Sequence, residues 1–391
     1  METYFRKFIK VQEVKDDHIA LSRFLIKFFT LYHMWVPGEF TRFRVVKGYV
    51  VLLLCNTVII CLIWKDILYI RKTDKFNFDD IANDILVIAG SPAGFAFFRT
   101  FFSQQKEFQA LLYDMGDFTE YEKPTNIEFV DASYEFYSQI SMLIIAVPLP
   151  FLFITIGLSN CPDVDDHKCG MMFGGYFPGC MSPRPRKFCA LMQIASGYSL
   201  SYVGFLSSWF FLQMSEHIVC YIKHLHGLIA KIPTIAKGEE RRAHVMKVIR
   251  YHQHILELYE RYHSLVKNTF LTHIIVTPVV LGLLAYSVQI YFEIQNIAYG
   301  MLFVLALSVV CFIGQRMIKE SEKIVTIAYD SIPWDGDIRT GKDLALLILR
   351  SQRVMHTPAG SLTYCGNELF VSVMKTTYSY LALIHSTSNQ Q

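Results

Sequence analysis

The chain has 391 residues, 52% hydrophobic, 15% aromatic and only 18% charged, with a formal net charge of +3. Soluble domains are charged at about a quarter of their positions, so this composition, with a mean hydropathy of +0.30, excludes an ordinary soluble globule. The modest charge, with no basic patch interleaved with aromatics, also excludes a nucleic-acid binder. The opening stretch METYFRKFIKVQEVKDD is charged and has no apolar run or small-residue cleavage site, so the first span is expected to direct insertion.

Residues 21–35, LSRFLIKFFTLYHMW, come first among the predicted elements. Leu21, Phe24, Leu25, Phe28 and Phe29 repeat at helical spacing while Arg23 and Lys27 fall on another side, which predicts an interfacial helix and not a span. A bilayer core needs about 20 mostly apolar residues per helix. The windows 45–64, 81–102, 137–159, 188–214, 270–292 and 299–318 meet that condition. A seventh window, 366–386, is more polar and carries Asn367, Glu368, Lys375, Thr376, Thr377, Tyr378, Ser379 and His385. Ionisable groups within a membrane usually face water or protein, so this last helix is expected to line a pore or an internal polar path. Pro92, Pro148, Pro150 and Pro278 lie inside spans, where each removes a backbone hydrogen bond and opens room for a cavity.

Between the spans, the stretch after 215 continues as a helix, with Val245, Val248, Ile249, His252, Ile255, Leu256 and Tyr259 on one face. A further helix is predicted over 342–355; its core LALLIL is apolar all round and needs burial, within the subunit or between subunits. Lys and Arg are concentrated before the first span, in the fourth connection and around the sixth, which places the N-terminus in the cytoplasm and the C-terminus outside. The predicted fold class is therefore an all-α membrane protein. It has seven transmembrane helices in one domain and a helical cytosolic anchor layer, with extensions at approximately 215–268 and 319–360.

Cys161, Cys169 and Cys180 lie in an outward connection, with Cys189 at the start of the fourth span. An oxidising exterior permits one bridge among them, with the pairing open. His167 beside Cys169 fits no strong metal-ligand spacing, and no metal or cofactor is expected. His224/His226 and His252/His254 are each two residues apart, point to different helix faces and read as solvated or interfacial. No phosphate loop, nucleophile elbow or metalloprotease motif occurs, so the chain is not expected to be an enzyme. Glu260-Arg261-Tyr262 looks like the acidic-Arg-Tyr triplet of G-protein-coupled receptors, but it precedes the fifth span and the topology is reversed, so it reads as chance. The outer halves of the middle spans offer Val87, Ile88, Phe151, Phe153, Tyr198, Tyr202, Tyr286, Met301 and Leu302 as the lining of an apolar cavity with a few hydroxyls, the character of a small-molecule site.

The C-terminal region carries Tyr329, Ser331 and Trp334, the apolar run 344–349, Gln352, Pro358-Ala359-Gly360, Phe370, Lys375 and Thr377-Tyr378-Ser379. In this pattern, with its length and topology, the chain resembles the insect odorant receptors. The resemblance implies a heterotetrameric, odorant-gated, non-selective cation channel in the plasma membrane of an olfactory neuron. It also implies a shared co-receptor as partner and a volatile ligand bound in the outer half of the bundle. The absence of a long insertion before the fifth span implies an odour-tuning subunit and not the co-receptor itself. Carried over by position after Thr377-Tyr378, the gate falls on Leu381 and His385, with Ile384 adjacent and Thr377 on the same face as Leu381. His385 departs from the family's apolar pattern. A gustatory-type channel is the alternative, followed by a seven-span G-protein-coupled receptor or transporter; the gustatory Gln-Phe ending is absent, as Thr377-Tyr378 is followed by SYLAL, then Ile384-His385.

Overall fold

The structure is a computed structural model. It describes residues 21–31, 103–147, 183–291 and 294–388 apart from 362, together with individual positions between 43 and 68, between 85 and 101, and at 150. The described elements, in chain order, are α1 (Arg23–Leu31), α2 (Gln105–Gly116), α3 (Ile127–Ala146), α4 (Pro183–Ala230), a 3-10 turn (Ile232–Thr234), α5 (Glu239–Tyr291), α6 (Ile294–Asp330), α7 (Ile338–Ser351), a two-stranded antiparallel hairpin of β1 (Pro358–Ala359) and β2 (Thr363–Tyr364), and α8 (Asn367–Ser388). Described positions between 43 and 68 and between 85 and 103 are also helical.

Helix α4 has 48 residues, α5 has 53 and α6 has 37. At 1.5 Å per residue they run about 70, 80 and 55 Å, well beyond a hydrocarbon core of about 30 Å. Among the described residues, α5 is long and apolar enough to cross a membrane. The expected continuation of spans into an amphipathic layer is therefore observed as unbroken helix. In that layer Val245, Val248, His252, Ile255 and Tyr259 are buried on one face of α5, with Ile249 and Leu256 half-buried beside them.

The central element is α4, which packs on α3, α5 and α6. Every residue from Phe210 to Ile222 is buried. Within that covered stretch stand four polar side chains, Gln213, Ser215, Glu216 and His217, met by partners from three neighbouring helices. Gln213 Nε2 donates to Asp131 Oδ1 of α3 at 2.8 Å, and His217 Nε2 lies 2.7 Å from the same oxygen. The Ser215 hydroxyl is hydrogen-bonded to the Tyr262 hydroxyl of α5, and Arg316 of α6 donates to Glu216 Oε1 at 2.9 Å. Burial of polar groups is costly unless each finds a partner, so this collar sets how three helices sit around α4. One turn away, Phe97, Phe101, Phe108, Phe210, Phe211 and Phe270 stack, with ring centres 4.9 Å apart for Phe101–Phe210 and 5.8 Å for Phe211–Phe270.

Helix α1 is docked by the same collar. The Ser22 amide donates to Gln213 Oε1 at 3.1 Å, the Phe24 amide to Glu135 Oε2 at 2.9 Å and the Leu25 amide to Ser22 Oγ at 3.2 Å. These satisfy first-turn N–H groups that no helix can satisfy internally. As the periodicity predicts, Leu21, Leu25 and Phe28 are buried while Arg23 and Lys27 are exposed.

Helix α7 begins four residues before the predicted start, because Asp337 caps it: its carboxylate accepts from the Thr340 amide at 3.2 Å and from the Thr340 hydroxyl at 2.8 Å. The LALLIL run divides. Leu344 and Leu347 are buried against the chain's own helices, whereas Leu346 and Leu349 are 64% and 65% exposed. The nearly buried Arg241 ties this element to the start of α5, donating to Asp335 at 2.7 Å and to the Ile235 carbonyl at 2.9 and 2.7 Å.

One expectation changes here. His252 is not solvated: it is buried with its Nε2 3.4 Å from Ser351 Oγ, because its face of α5 is covered by α7. Glu260, Arg261 and Tyr262 separate to three partners, Arg350, Asp114 and Ser215, as expected of a chance triplet. Cys189 is disulfide-bonded; Cys161, Cys169 and Cys180 lie outside the described residues. Cys220, Cys311 and Cys365 are free and buried.

Two predictions follow from this layer's polar contacts. Asp337→Ala removes a helix cap and a carboxylate beside Arg241, and is expected to lower stability by about 1–2 kcal/mol in thermal unfolding of the detergent-solubilised protein, with Asp337→Asn, still a capping residue, milder. The second concerns pH. Burial pushes His224, His226, His252, His254 and His263 below the ordinary imidazole range, His252 down to about 4 with Arg350 as a second cause. Unfolded imidazoles titrate near 6.5, so between about pH 6.5 and 4 the unfolded chain holds more protons and stability falls as pH falls. The melting temperature should drop from pH 7 to pH 5, and the drop should be smaller in His252→Gln; an equal drop in both would remove His252 from the effect.

Candidate functional site

The last helix, α8, is the element whose polarity set it apart in the sequence, and the structure shows how it is mounted. Its lead-in is clamped between α5 and α6. The Gly360 amide donates to the Lys267 carbonyl at 2.8 Å, and the Cys365 amide to the Thr357 carbonyl at 2.8 Å. The Tyr259 hydroxyl of α5 holds His356 by both backbone groups, donating to its carbonyl at 3.2 Å and accepting from its amide at 3.3 Å. Gly360 has φ +75°, a left-handed conformation, and a Cβ there would sit 2.9 Å from the Leu271 side chain. On the α6 side, Gln315 Oε1 accepts the Asn367 amide at 3.2 Å, capping α8. A Cβ on Gly314 would lie 2.1 Å from the Cys365 carbonyl oxygen, so only glycine permits this approach.

Further along, α8 packs chiefly on α5 and less on α6. The contact is closest at Gly282, where a Cβ would stand 3.0 Å from Tyr380 Cβ, 3.6 Å from the Thr377 carbonyl and 3.7 Å from the Leu381 amide. This orients the helix. Val373 is buried, and Phe370, Thr377, Leu381 and Ile384 are half-covered on the face turned to the bundle. Glu368, Ser372, Lys375, Ser379 and Ser386 are exposed on the opposite face. Thr377, Leu381 and Ile384, which the sequence pattern placed on a pore-lining face, are half-covered in the structure. His385 is exposed.

Of the expected ligand-lining residues, Tyr202 of α4 and Tyr286 of α5 are buried and Ile88 is half-buried. Gly90, two residues on, lies against Val280 of α5 at 3.9 Å from its would-be Cβ. Met301 is 69% exposed on α6 and does not join the buried set. Val87, Phe151 and Phe153 lie outside the described residues, as do the side chains of Tyr198 and Leu302 on α4 and α6. The structure adds three buried polar groups to the same stretches: Gln193 and Ser196 of α4 and Ser287 beside Tyr286. A glutamine inside a predicted span was the signal that could have found the first of them. A separate cavity of about 320 Å³ opens between α2 and α5, lined by Asp114, His254, Glu257, Leu258, Glu260 and Arg261. Its charged wall does not suit an apolar ligand, which needs a mostly apolar lining.

The described fold is thus a bundle of long helices with a polar last helix clamped at its base and buried tyrosines on neighbouring helices. The sequence model of the 7tm Odorant receptor family matches residues 88–378. The chain therefore belongs to the odorant receptor family, a class of membrane receptors and not of enzymes. It is 24% identical to Odorant receptor 49a of Drosophila melanogaster over 208 residues, 49% of this chain and 52% of that protein, so the chain spans about half the length of the curated relative it matches. The fold is similar to that of the insect olfactory receptor OR5 from Machilis hrabei in complex with eugenol, with a TM-score of 0.69 and 12% identity over 93% of this chain and 98% of that one. A second structure of the same receptor superposes with a TM-score of 0.67 over 98% of each chain, again at 12% identity.

The mounting of α8 gives a direct test. Gly314→Ala drives a methyl group into a backbone carbonyl, which cannot step aside like a side chain, and should cost about 1–3 kcal/mol, read as a lower melting temperature and less receptor at the cell surface. Gly341→Ala is the control: nothing lies within 4 Å of its would-be Cβ, and in a helix interior it should be neutral or slightly stabilising.

Proposed function

We propose that this chain is the odour-tuning subunit of an odorant-gated, non-selective cation channel in the plasma membrane of an olfactory neuron. The observation that carries the reading is the family match across residues 88–378. The chain is read as one domain of seven spans, with the N-terminus in the cytoplasm, the C-terminus outside and helical extensions at approximately 215–268 and 319–360 in the cytosolic layer. The disulfide at Cys189 supports this orientation, because disulfides persist on the oxidising side of a membrane. The partner is the shared co-receptor in a heterotetramer. Exposed Trp334, Ile338, Leu346 and Leu349 support contacts between subunits in the cytosolic layer, since large apolar patches are seldom left in water.

The ligand is a volatile apolar molecule held among Ile88, Tyr202 and Tyr286, together with Val87, Phe151, Phe153 and Tyr198. Gln193, Ser196 and Ser287 are the groups able to orient a single polar head. Helix α5 carries both Tyr286 and Gly282, one helical turn apart, so a shift of α5 on ligand binding reaches α8 at Thr377 and Leu381. In this reading Leu381 acts as the contact through which α5 moves the last helix.

Expression in a naive cell tests the assignment. Currents evoked by volatile esters, alcohols or terpenes are expected with the co-receptor and absent without it. Current from this chain alone would instead indicate a self-sufficient channel. Tyr286→Ala should shift the half-activating concentration by about tenfold, the equivalent of about 1.4 kcal/mol, with surface expression retained; superimposable dose–response curves would move the ligand site elsewhere.

A further inference from the structure

Two histidines meet where α5 holds the lead-in to the last helix. His263 stands on α5 and His356 begins the lead-in, with ring centres 5.8 Å apart and rings nearly perpendicular at 84°. Tyr259 lies against both, 5.8 Å from His263 and 6.4 Å from His356 between ring centres, and Tyr364 of β2 flanks His356 at 5.5 Å. The Tyr259 hydroxyl grips the His356 backbone at its carbonyl and its amide, and one turn beyond His263 the Lys267 carbonyl accepts the Gly360 amide. The imidazoles are thus held close by contacts that leave their own nitrogens unused. Among the described residues neither ring nitrogen of His263 has a hydrogen-bond partner. His356 Nδ1 lies 3.4 Å from the Val354 carbonyl oxygen, which favours a proton on Nδ1 and a lone pair on Nε2. Burial lowers His263, with His356, Lys267 and Arg353 acting in the same direction and Glu260 against them, so this ring is neutral near pH 7. Both residues are half-buried, within reach of solvent.

Neutral imidazoles with free lone pairs are the ligands a transition metal requires. The spacing fits one ion. A ring nitrogen binds Zn²⁺ at roughly 2.0–2.1 Å, which puts two ring centres roughly 5.2 Å apart at the tetrahedral angle and roughly 6.4 Å apart when opposed. The observed 5.8 Å falls between these limits, and the broad χ2 torsion of histidine lets either ring aim its nitrogen at small cost. No third His, Cys, Asp or Glu completes a cluster among the described residues, and the Glu260 carboxylate is drawn to Arg350 at 3.7 Å, so water fills the remaining positions. Lys267 and Arg353 beside His263 disfavour ions held by charge and oxygen ligands, such as Ca²⁺ and Mg²⁺. We propose that His263 and His356 form a two-histidine transition-metal site, and that the bound ion ties α5 to the lead-in of α8. The site stands independently of the channel reading. No spacing in the sequence announces it, because one histidine lies on α5 and the other beyond α7.

The test uses the full chain, purified in detergent without a polyhistidine tag. Zn²⁺ is titrated calorimetrically at pH 7.4 into wild type, His263→Gln, His356→Gln and His385→Gln, the last an exposed histidine near the far end of α8. Wild type and His385→Gln should bind alike, and binding should weaken at least tenfold in each of the other two. Equal affinity in all four, or no binding by wild type, overturns the site, and Ca²⁺ or Mg²⁺ binding in place of Zn²⁺ overturns its ligand chemistry. Hydrogen exchange at the Gly360 and Cys365 amides, measured without metal, shows whether each variant keeps the clamp; if His263→Gln does not fold, His356→Gln, which lies outside any helix, decides. With Zn²⁺ these amides should exchange severalfold more slowly in wild type and at an unchanged rate in His356→Gln. Binding that leaves their exchange unaltered in wild type overturns the tie between α5 and the lead-in.

Discussion

The arrangement of the bundle depends on the polar collar in the middle of α4. Gln213, Ser215, Glu216 and His217 fall within a stretch in which every position is covered by protein. A buried charge costs several kcal/mol unless it is paired and hydrogen-bonded, and a buried amide or hydroxyl also needs a partner. Each neighbour arrives with one: Asp131 from α3, Tyr262 from α5, Arg316 from α6, and the Ser22 amide from the segment ahead of α1. Apolar packing alone tolerates sliding and rotation of helices by small amounts. A ring of directional contacts does not, so the collar fixes the rotation and height of the helices that surround it. The phenylalanine stack one turn away then fills the space those helices enclose.

With that frame set, α5 becomes the common wall of the molecule. One continuous helix of 53 residues carries Arg241 at one end, Tyr259 and His263 against the lead-in to α8, Gly282 against α8 itself, and the buried Tyr286 beyond it. Pro278 lies inside this helix, one turn before Gly282. It leaves one backbone carbonyl without its usual intrahelical partner, close to where α5 and the last helix touch. On the proposed reading, a ligand beside Tyr286 and the last helix are two neighbours of the same short stretch of backbone. The hairpin and Gln315 hold the base of α8, and among the described residues the helix packs chiefly on α5 and, less, on α6.

Much of this was legible in the residues. Apolar spacing at Leu21, Leu25 and Phe28 identified a helix with one buried face, and the run from Val245 to Tyr259 identified the buried side of α5. Pro358-Ala359-Gly360 marked the tight turn, where Gly360 adopts φ +75°. Other features were not legible. Helix α2, whose buried Phe108, Leu111, Leu112 and Met115 join the phenylalanine stack, lies outside any membrane-length window. His252 looked like a surface histidine because the residue type is polar; its burial depends on α7, nearly a hundred positions away. The LALLIL run looked uniformly apolar, yet half of it is covered by the chain and half is left for something else.

By itself the sequence determined that this is a helical membrane protein and that the last helix is chemically unlike the others. These follow from local quantities: transfer free energy summed over about 20 residues, and the 3.6-residue repeat. Only the tertiary structure decided which face of each helix meets which neighbour. Val373, Thr377 and Leu381 are no more apolar as a set than the periodicity of α8 demands, and Lys375 and Ser379 are separated from them by a rotation of the helix alone. That rotation is decided at Gly282, where the missing side chain lets two backbones approach, and at Gly314, where Cys365 occupies the space a Cβ would need. Such contacts join residues about fifty to a hundred positions apart, and no pattern within either helix encodes them.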